Sequence, residues 1–450
     1  MKRVRTLAIV LTAVLTACAT ALPAAPINRP ATFPENPAPA LHVGPDGEAI
    51  VLALSGGGAR AAAFSLGVLQ GLREAPAADG RALLDHVALV SAVSGGAILA
   101  AYYGLHGSPG LDTFRAAYLD KDWVSALHTS PASPANWLRA WRGGMNDETK
   151  LADWLDREIF QGAPMHMLWR GPQVWLNAVD LYNGTPFAFA PAYFDALCSD
   201  LAGVRVADAV AASMAMPVIF EPILIEPQRQ HCAPQPDWVA RALNDREAPA
   251  LLRVSARAFQ SYRDPARLRF VHLADGGVVD NLGLSSLSLM LLTAPTPYAP
   301  LSEQGAVRLT RLRVLVVNAE NIRTADWRMD AEGPSGAEII DTVYDVATEA
   351  SNRAAYDGFR AIIAQWERDL IAWRCGLASD DVARWRGGLA GWNCADPRLS
   401  VDMIAFADLD ETLRARVGAI ATRVSLPAAA DIDALIASGR AGLLANALAR

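Results

Sequence analysis

No uninterrupted run of about 20 apolar residues occurs in the chain, and that is the length a membrane-spanning helix needs. There is no basic tract either. Lys and Arg number 40 against 47 Asp and Glu, a net charge of −7, which excludes the electrostatic footprint of a nucleic-acid binder. Neither Cys-x-x-Cys nor His-x-x-x-His spacing is present, so the common zinc frameworks are excluded. No Gly-Lys-Ser/Thr follows any glycine cluster, which removes the phosphate-loop reading. No calcium loop is recognisable. Charge is sparse, at 19% against 52% hydrophobic residues, so a disordered solvating chain is excluded as well. Within 450 residues there is room for one large α/β domain or two smaller ones.

The amino terminus has its own grammar. Lys2, Arg3 and Arg5 precede a short apolar stretch, Leu7 to Leu15, and the sequence then reads Leu15-Thr16-Ala17-Cys18. Residues 1–17 are expected to be an export signal. The Leu-x-Ala-Cys ending resembles the lipobox of bacterial lipoproteins. That resemblance implies cleavage before Cys18, lipidation of its sulfur, and a lipid-anchored place in the bacterial cell envelope. Ala19, where Asp would favour the inner membrane in some bacteria, points to the outer membrane. The alternative is an ordinary signal peptide with an incidental cysteine. Residues 18–45, rich in Pro and Ala, read as a tether. Four further cysteines, Cys198, Cys232, Cys375 and Cys394, permit two disulfides in an exported chain. The sequence-near pairs 198–232 and 375–394 are expected; four buried thiols are the alternative.

The body is a succession of continuous apolar runs and helical stretches. Ile50–Leu54, Val87–Val93, Val174–Val179, Phe270–Leu273 and Leu312–Val317 are the expected strands, with Val401–Phe406 a possible sixth. Helices are expected over Ala59–Leu72 and Ala97–Tyr103. The stripe Ile339, Val343, Val346, Ala350 and Ala354 has helical spacing, and it resumes after Gly358 with Phe359, Ile362 and Trp366. Closing helices are expected over Asp410–Val424 and Ile432–Leu448. Such a pattern predicts a mostly parallel sheet covered on both faces.

Three turns along this frame carry chemistry. Ser55-Gly56-Gly57-Gly58-Ala59-Arg60 joins a strand to a helix. Its glycines can turn several N–H groups towards an anion at a helix N-terminus; the bland reading is a tight turn. Ala92-Val93-Ser94-Gly95-Gly96 approximates Gly-x-Ser-x-Gly, a turn that projects a serine beyond the sheet edge; Ser94 as a helix cap is the alternative. Asp275-Gly276-Gly277 follows the fourth strand. It puts a carboxylate on the same sheet edge if that strand is parallel; a turn Asp bonding its own backbone is the alternative.

In this order, the glycine loop, the serine turn and Asp-Gly-Gly together resemble the patatin-like phospholipase family. A fourth stretch, with Ala212, Ser213, Ala215, Pro217 and Phe220, resembles the family's Ala-Ser-x-Ala-x-Pro-x-x-Phe segment. Ala61 and Ala92 stand where glycine is usual, and Ser55 where many members have Asp. The resemblance implies a patatin-like three-layer α/β fold, with a catalytic domain over 46–300 and a mainly helical part over 301–450. It also implies a Ser94–Asp275 dyad, with an oxyanion hole drawn from Gly56, Gly57, Gly58 and Gly95. All seven histidines precede Asp275, which rules out the order Ser…Asp…His with Asp275 as the acid. Arg60 would either bind a substrate phosphate, as the resemblance to the cytosolic phospholipase A2 branch implies, or anchor its loop. The expected activity is serine acyl hydrolysis of membrane lipids with no metal or cofactor, no nucleic acid and no obligate protein partner. An acyltransferase and a non-catalytic lipid- or partner-binding lipoprotein are the alternatives. Half of the twelve tryptophans fall between Trp123 and Trp175, as a lid or as ordinary packing.

Overall fold

Aliphatic, β-branched runs such as Val87–Val93 suit strands buried on both faces. In the computed structural model these runs build one large sheet. The described residues are 25–31, 36, 38–127, 136, 143–146, 148–229, 231–319, 326–329, 331, 333–420, 425–426 and 428–446. The residues of the expected export signal, Cys18, Trp137 and Trp141 lie outside them. No helix among the described residues is long and apolar enough to cross a membrane.

The strands are β1 (Glu48–Leu54), β2 (Val87–Val93), β3 (Gly144–Asn146), β4 (Gln173–Asp180), β5 (Thr185–Phe189), β6 (Val218–Phe220), β7 (Ile223–Ile225), β8 (Val271–Asp275), β9 (Arg311–Asn318) and β10 (Arg398–Ala405). The main sheet runs β10-β9-β1-β2-β4-β8-β7, with β5 also on β4, while β3 and β6 pair apart from it. From β10 through β4 every pairing is parallel. Beyond β4 the sheet turns antiparallel.

Side chains alternate across the sheet with period two. Ile50, Leu52 and Leu54 enter one core, with helices α1 (Gly58–Glu74) and α2 (Ser94–Phe114). Ala49, Val51 and Ala53 enter the other, with Phe359, Ile363 and Trp366 of a 40-residue helix, Gly336–Cys375. The result is three layers, helix on sheet on helix. The carboxy-terminal third supplies more than helices: β9 and β10 extend the sheet beside β1.

Gly358 lies inside one continuous helix, since one glycine costs a helix only about 1 kcal/mol. Two expectations need correction. The stripe that reads as one face divides. Phe359 and Trp366 are buried, whereas Val343 is 61% exposed. The strand before Asp275, expected to be parallel, is antiparallel to β4. A continuous apolar run marks burial on both faces and is silent on direction.

At the β10 edge, side chains occupy four of the outward backbone groups. Glu367 accepts from Leu399 N–H and Asp408 from Ala405 N–H. Tyr356 donates to the Val401 carbonyl and Asn446 to that of Met403.

Both disulfides form as the near pairs, Cys198–Cys232 and Cys375–Cys394, closing separations of 34 and 19 residues. Helix α1 meets the helix Ala429–Asn446 backbone to backbone, since a Cβ on Gly67 would collide with the Ile436 carbonyl and one on Gly439 with the Phe64 carbonyl. Gly439→Val is therefore expected to lower stability by about 1–3 kcal/mol through overpacking. Reduction of the disulfides should remove about 3 kcal/mol for each loop. Urea unfolding curves with and without dithiothreitol check both.

Candidate active site

The pairings of β4 decide the geometry. β2 pairs with Gln173–Asn177, β8 with Ala178–Asp180, and β5 with Leu176–Asp180. Because β5 overlaps both other partners in register, it must hold one edge of β4 while β2 and β8 share the other. These two strands run towards each other and stop head to head. Val93 ends β2 level with Asn177, and Asp275 ends β8 level with Ala178. The residue after one strand end and the last residue of the other therefore become neighbours.

Ser94 Oγ donates a 2.8 Å hydrogen bond to Asp275 Oδ2. The serine is 8% exposed and the aspartate 6%. Ser94 has a φ of 49°, in the left-handed region, at the first residue of α2. Such a backbone in a non-glycine residue carries on the order of 1–3 kcal/mol of strain and needs surroundings that hold it. They are close-packed here. A Cβ on Gly95 would collide with the Gly58 carbonyl, and one on Gly96 would come within 2.7 Å of the Ser55 carbonyl. Glycine at both positions lets the serine turn lie flat on the glycine loop. Ala92, where glycine is usual, is a buried residue of β2 and fits without strain.

Asp275 is held from three sides. Its N–H donates to the Ala215 carbonyl at 2.9 Å, its Oδ1 accepts from Gly277 N–H at 2.8 Å, and its Oδ2 accepts from Ser94. Burial pushes its pKa up to about 6, against the opposing pull of Gly277 N–H and the Ser94 hydroxyl. Among the described residues, no histidine side chain bonds to either member of the pair.

The glycine loop divides by use. Gly57 (φ 130°) and Gly58 (φ 60°) adopt conformations open to glycine and begin α1, where amides have no intrahelical acceptor. Both are partly exposed. Gly95 lies in the first turn of α2, in the same situation. Gly56 departs from the expectation: it is buried and its N–H already donates to the Asn281 carbonyl at 3.0 Å. It ties the loop to the segment after Asp275 and offers nothing to an oxyanion.

Arg60 is 2% exposed. It donates to the Ala319 and Ile420 carbonyls at 3.0 and 3.3 Å and lies over the Phe406 ring. These contacts anchor the loop to the carboxy-terminal third and leave no guanidinium surface for a substrate phosphate. Trp123 and Trp154 stack within the main core at 5.6 Å, as packing residues.

Sequence reading assigned no role to three residues around the pair. Ser213 accepts the Ser94 N–H, Asn281 holds Gly56, and buried Asp280 accepts the N–H groups of Leu284 and Ser285 at the start of the next helix. For Ser213 a signal was available, since it lies in the Ala-Ser-x-Ala-x-Pro-x-x-Phe stretch. Asp280 and Asn281 are ordinary polar residues until the fold places them.

One group of metal-type ligands occurs among the described residues: Asp46, Asp79 and His86. Asp46 and Asp79 approach opposite ring nitrogens of His86, at 3.5 and 3.3 Å. One ion cannot lie on both sides of an imidazole, so the group reads as a bridge. It precedes β2, at the far end from Ser94.

A carboxyl whose folded pKa is raised opposes folding once it ionises. Its cost is absent below the unfolded value near 3.8 and complete above the folded value of about 6. Asp275→Asn is thus expected to stabilise the protein at pH 8 by on the order of 1–3 kcal/mol, with the gain vanishing by about pH 3.5. Denaturant melts of both proteins across pH measure this.

No curated protein matches the sequence. A solved structure, VipD from Legionella pneumophila, is similar with a TM-score of 0.34 at 12% identity, over 91% of this chain and 70% of that one. The sequence profile of the patatin-like phospholipases matches residues 52–288, just over half of the 450. That span takes in the glycine loop, Ser94 and Asp275, and the chain belongs to the patatin-like phospholipase family.

Proposed function

We propose that the protein is a serine acyl hydrolase of membrane-lipid esters, with Ser94 as nucleophile and Asp275 as its base. Family membership supports lipid acyl hydrolysis in general terms. The observation that carries the specific reading is the 2.8 Å bond from the Ser94 hydroxyl to a buried carboxylate, in a serine turn packed against the glycine loop.

In the proposed cycle Ser94 Oγ attacks the ester carbonyl carbon while its proton passes to Asp275 Oδ2. The carbonyl oxygen becomes an oxyanion facing the glycine amides; one such donor is typically worth about 3 kcal/mol. Collapse breaks the ester C–O bond, and Asp275 gives the proton to the leaving alcohol. Water then attacks the acyl-serine, its proton goes to Asp275, and Ser94 recovers it as the fatty acid departs. A carboxylate of ordinary pKa is a weak base for this work. Burial of Asp275 raises its proton affinity towards neutrality, which is the direction general-base catalysis needs.

The two disulfides support an oxidising compartment. Together with the lipobox-like sequence they support export and an anchor at Cys18, in the outer membrane of a bacterial envelope. Loss of labelled palmitate in Cys18→Ser would be the expected result.

Ser94→Ala and Asp275→Asn should each lower kcat on p-nitrophenyl butyrate by about 10³-fold or more while the protein stays folded. Wild-type kcat/KM should fall tenfold per pH unit below about 6, as Asp275 takes up its proton. Titration of fatty acid released from phospholipid vesicles checks the substrate class, and added acceptor alcohol separates transfer from hydrolysis. Full activity in either variant would overturn the dyad.

A further inference from the structure

Directly behind the nucleophile lies a hydroxyl that this chemistry does not use. Ser213 ends the helix Val206–Ser213 and is fully buried. Its Oγ accepts the Ser94 N–H at 2.8 Å and donates to the Asn177 carbonyl at 2.6 Å. Two residues on, the Ala215 carbonyl accepts the Asp275 N–H at 2.9 Å. A single three-residue stretch thus grips the backbone amide of both members of the pair. Its anchor, Asn177, is the residue of β4 at which the opposed ends of β2 and β8 meet. Asn177 is itself fixed: its amide donates to Ser91 Oγ and the Ala92 carbonyl, and its Oδ1 accepts from Ser286.

We propose that Ser213 is a positioning residue for the nucleophile: its hydroxyl clamps the strained Ser94 backbone to β4 and, through Ala215, fixes the spacing between Ser94 and Asp275.

The chemistry of the position is narrow. The group must accept from one backbone N–H and donate to one backbone carbonyl at the same time. A hydroxyl does both, whereas an aliphatic side chain does neither. Without it the Ser94 amide is a buried donor with no acceptor, and the left-handed turn loses the bond that holds it. With it, the Ser94 N–H is engaged inside the protein and is not among the donors proposed for the oxyanion. The hydroxyl touches no reacting atom, so its effect belongs in kcat and not in substrate affinity.

The test compares wild type with Ser213→Ala, Ser213→Thr and Ser213→Val, the last two being of nearly equal volume and differing in the hydroxyl. The kinetic arm rests on the proposed hydrolase reading and uses p-nitrophenyl butyrate, with active sites counted by a fluorophosphonate probe carried to completion. Per site, Ser213→Ala should lose about 10- to 100-fold in kcat with KM unchanged, the scale of a small misplacement of a reacting group. Thr should restore most of that loss and Val none. The second arm needs no activity: hydrogen exchange at the Ser94 amide should be at least tenfold faster in the Ala and Val variants than in wild type or Thr. Equal kcat per site in wild type and Ser213→Ala would overturn the proposal, as would identical behaviour of the Thr and Val variants. An inactive wild type would sink the hydrolase reading alone, and the exchange rates would then decide the role of Ser213.

Discussion

Two strand ends meet head to head on one edge of β4, and the candidate site exists because they do. A parallel strand arriving at Val93 and an antiparallel strand arriving at Asp275 leave a gap of one residue level. Residues 181 positions apart in sequence are thereby brought within one hydrogen bond. Glycine at 95, 96 and 276 follows from the same crowding, for a Cβ at Gly276 would come within 2.6 Å of the Asn177 carbonyl. The glycine loop, the serine turn and the Asp-Gly-Gly turn are thus three solutions to one packing problem at one place in the sheet.

Burial does two jobs at this junction. It raises the proton affinity of Asp275, and it makes the ionised protein less stable than a neutral substitute would be. The strained φ of Ser94 acts in the same direction. The junction is therefore held in place by what surrounds it: Arg60 pinning the loop to the carboxy-terminal third, Asn281 holding Gly56, and Ser213 holding the Ser94 amide.

The sequence made the parallel half of the sheet legible because strands buried on both faces are uninterrupted apolar runs. Val87–Val93 falls within its expected bounds for that reason. The pair Ser94 and Asp275 was legible because each stands beside glycines at the end of such a run. What escaped reading depends on contacts between distant segments. The direction of β8 has no local signal. The short strands β3, β6 and β7, three residues each, are too brief to show a period. The Gly56 amide looks like those of Gly57 and Gly58 until Asn281, more than two hundred residues on, is folded against it. Arg60 beside three glycines suggests an anion, and only the fold shows the two carbonyls that claim it.

The guarded border at β10 has a consequence for the molecule among its copies. Sheets grow when a foreign strand finds a ladder of vacant amides and carbonyls at their margin. Here four outward groups along that margin already have side-chain partners from Glu367, Tyr356, Asn446 and Asp408. With those four groups answered from within, this margin of the sheet offers an incoming strand fewer points to zip onto.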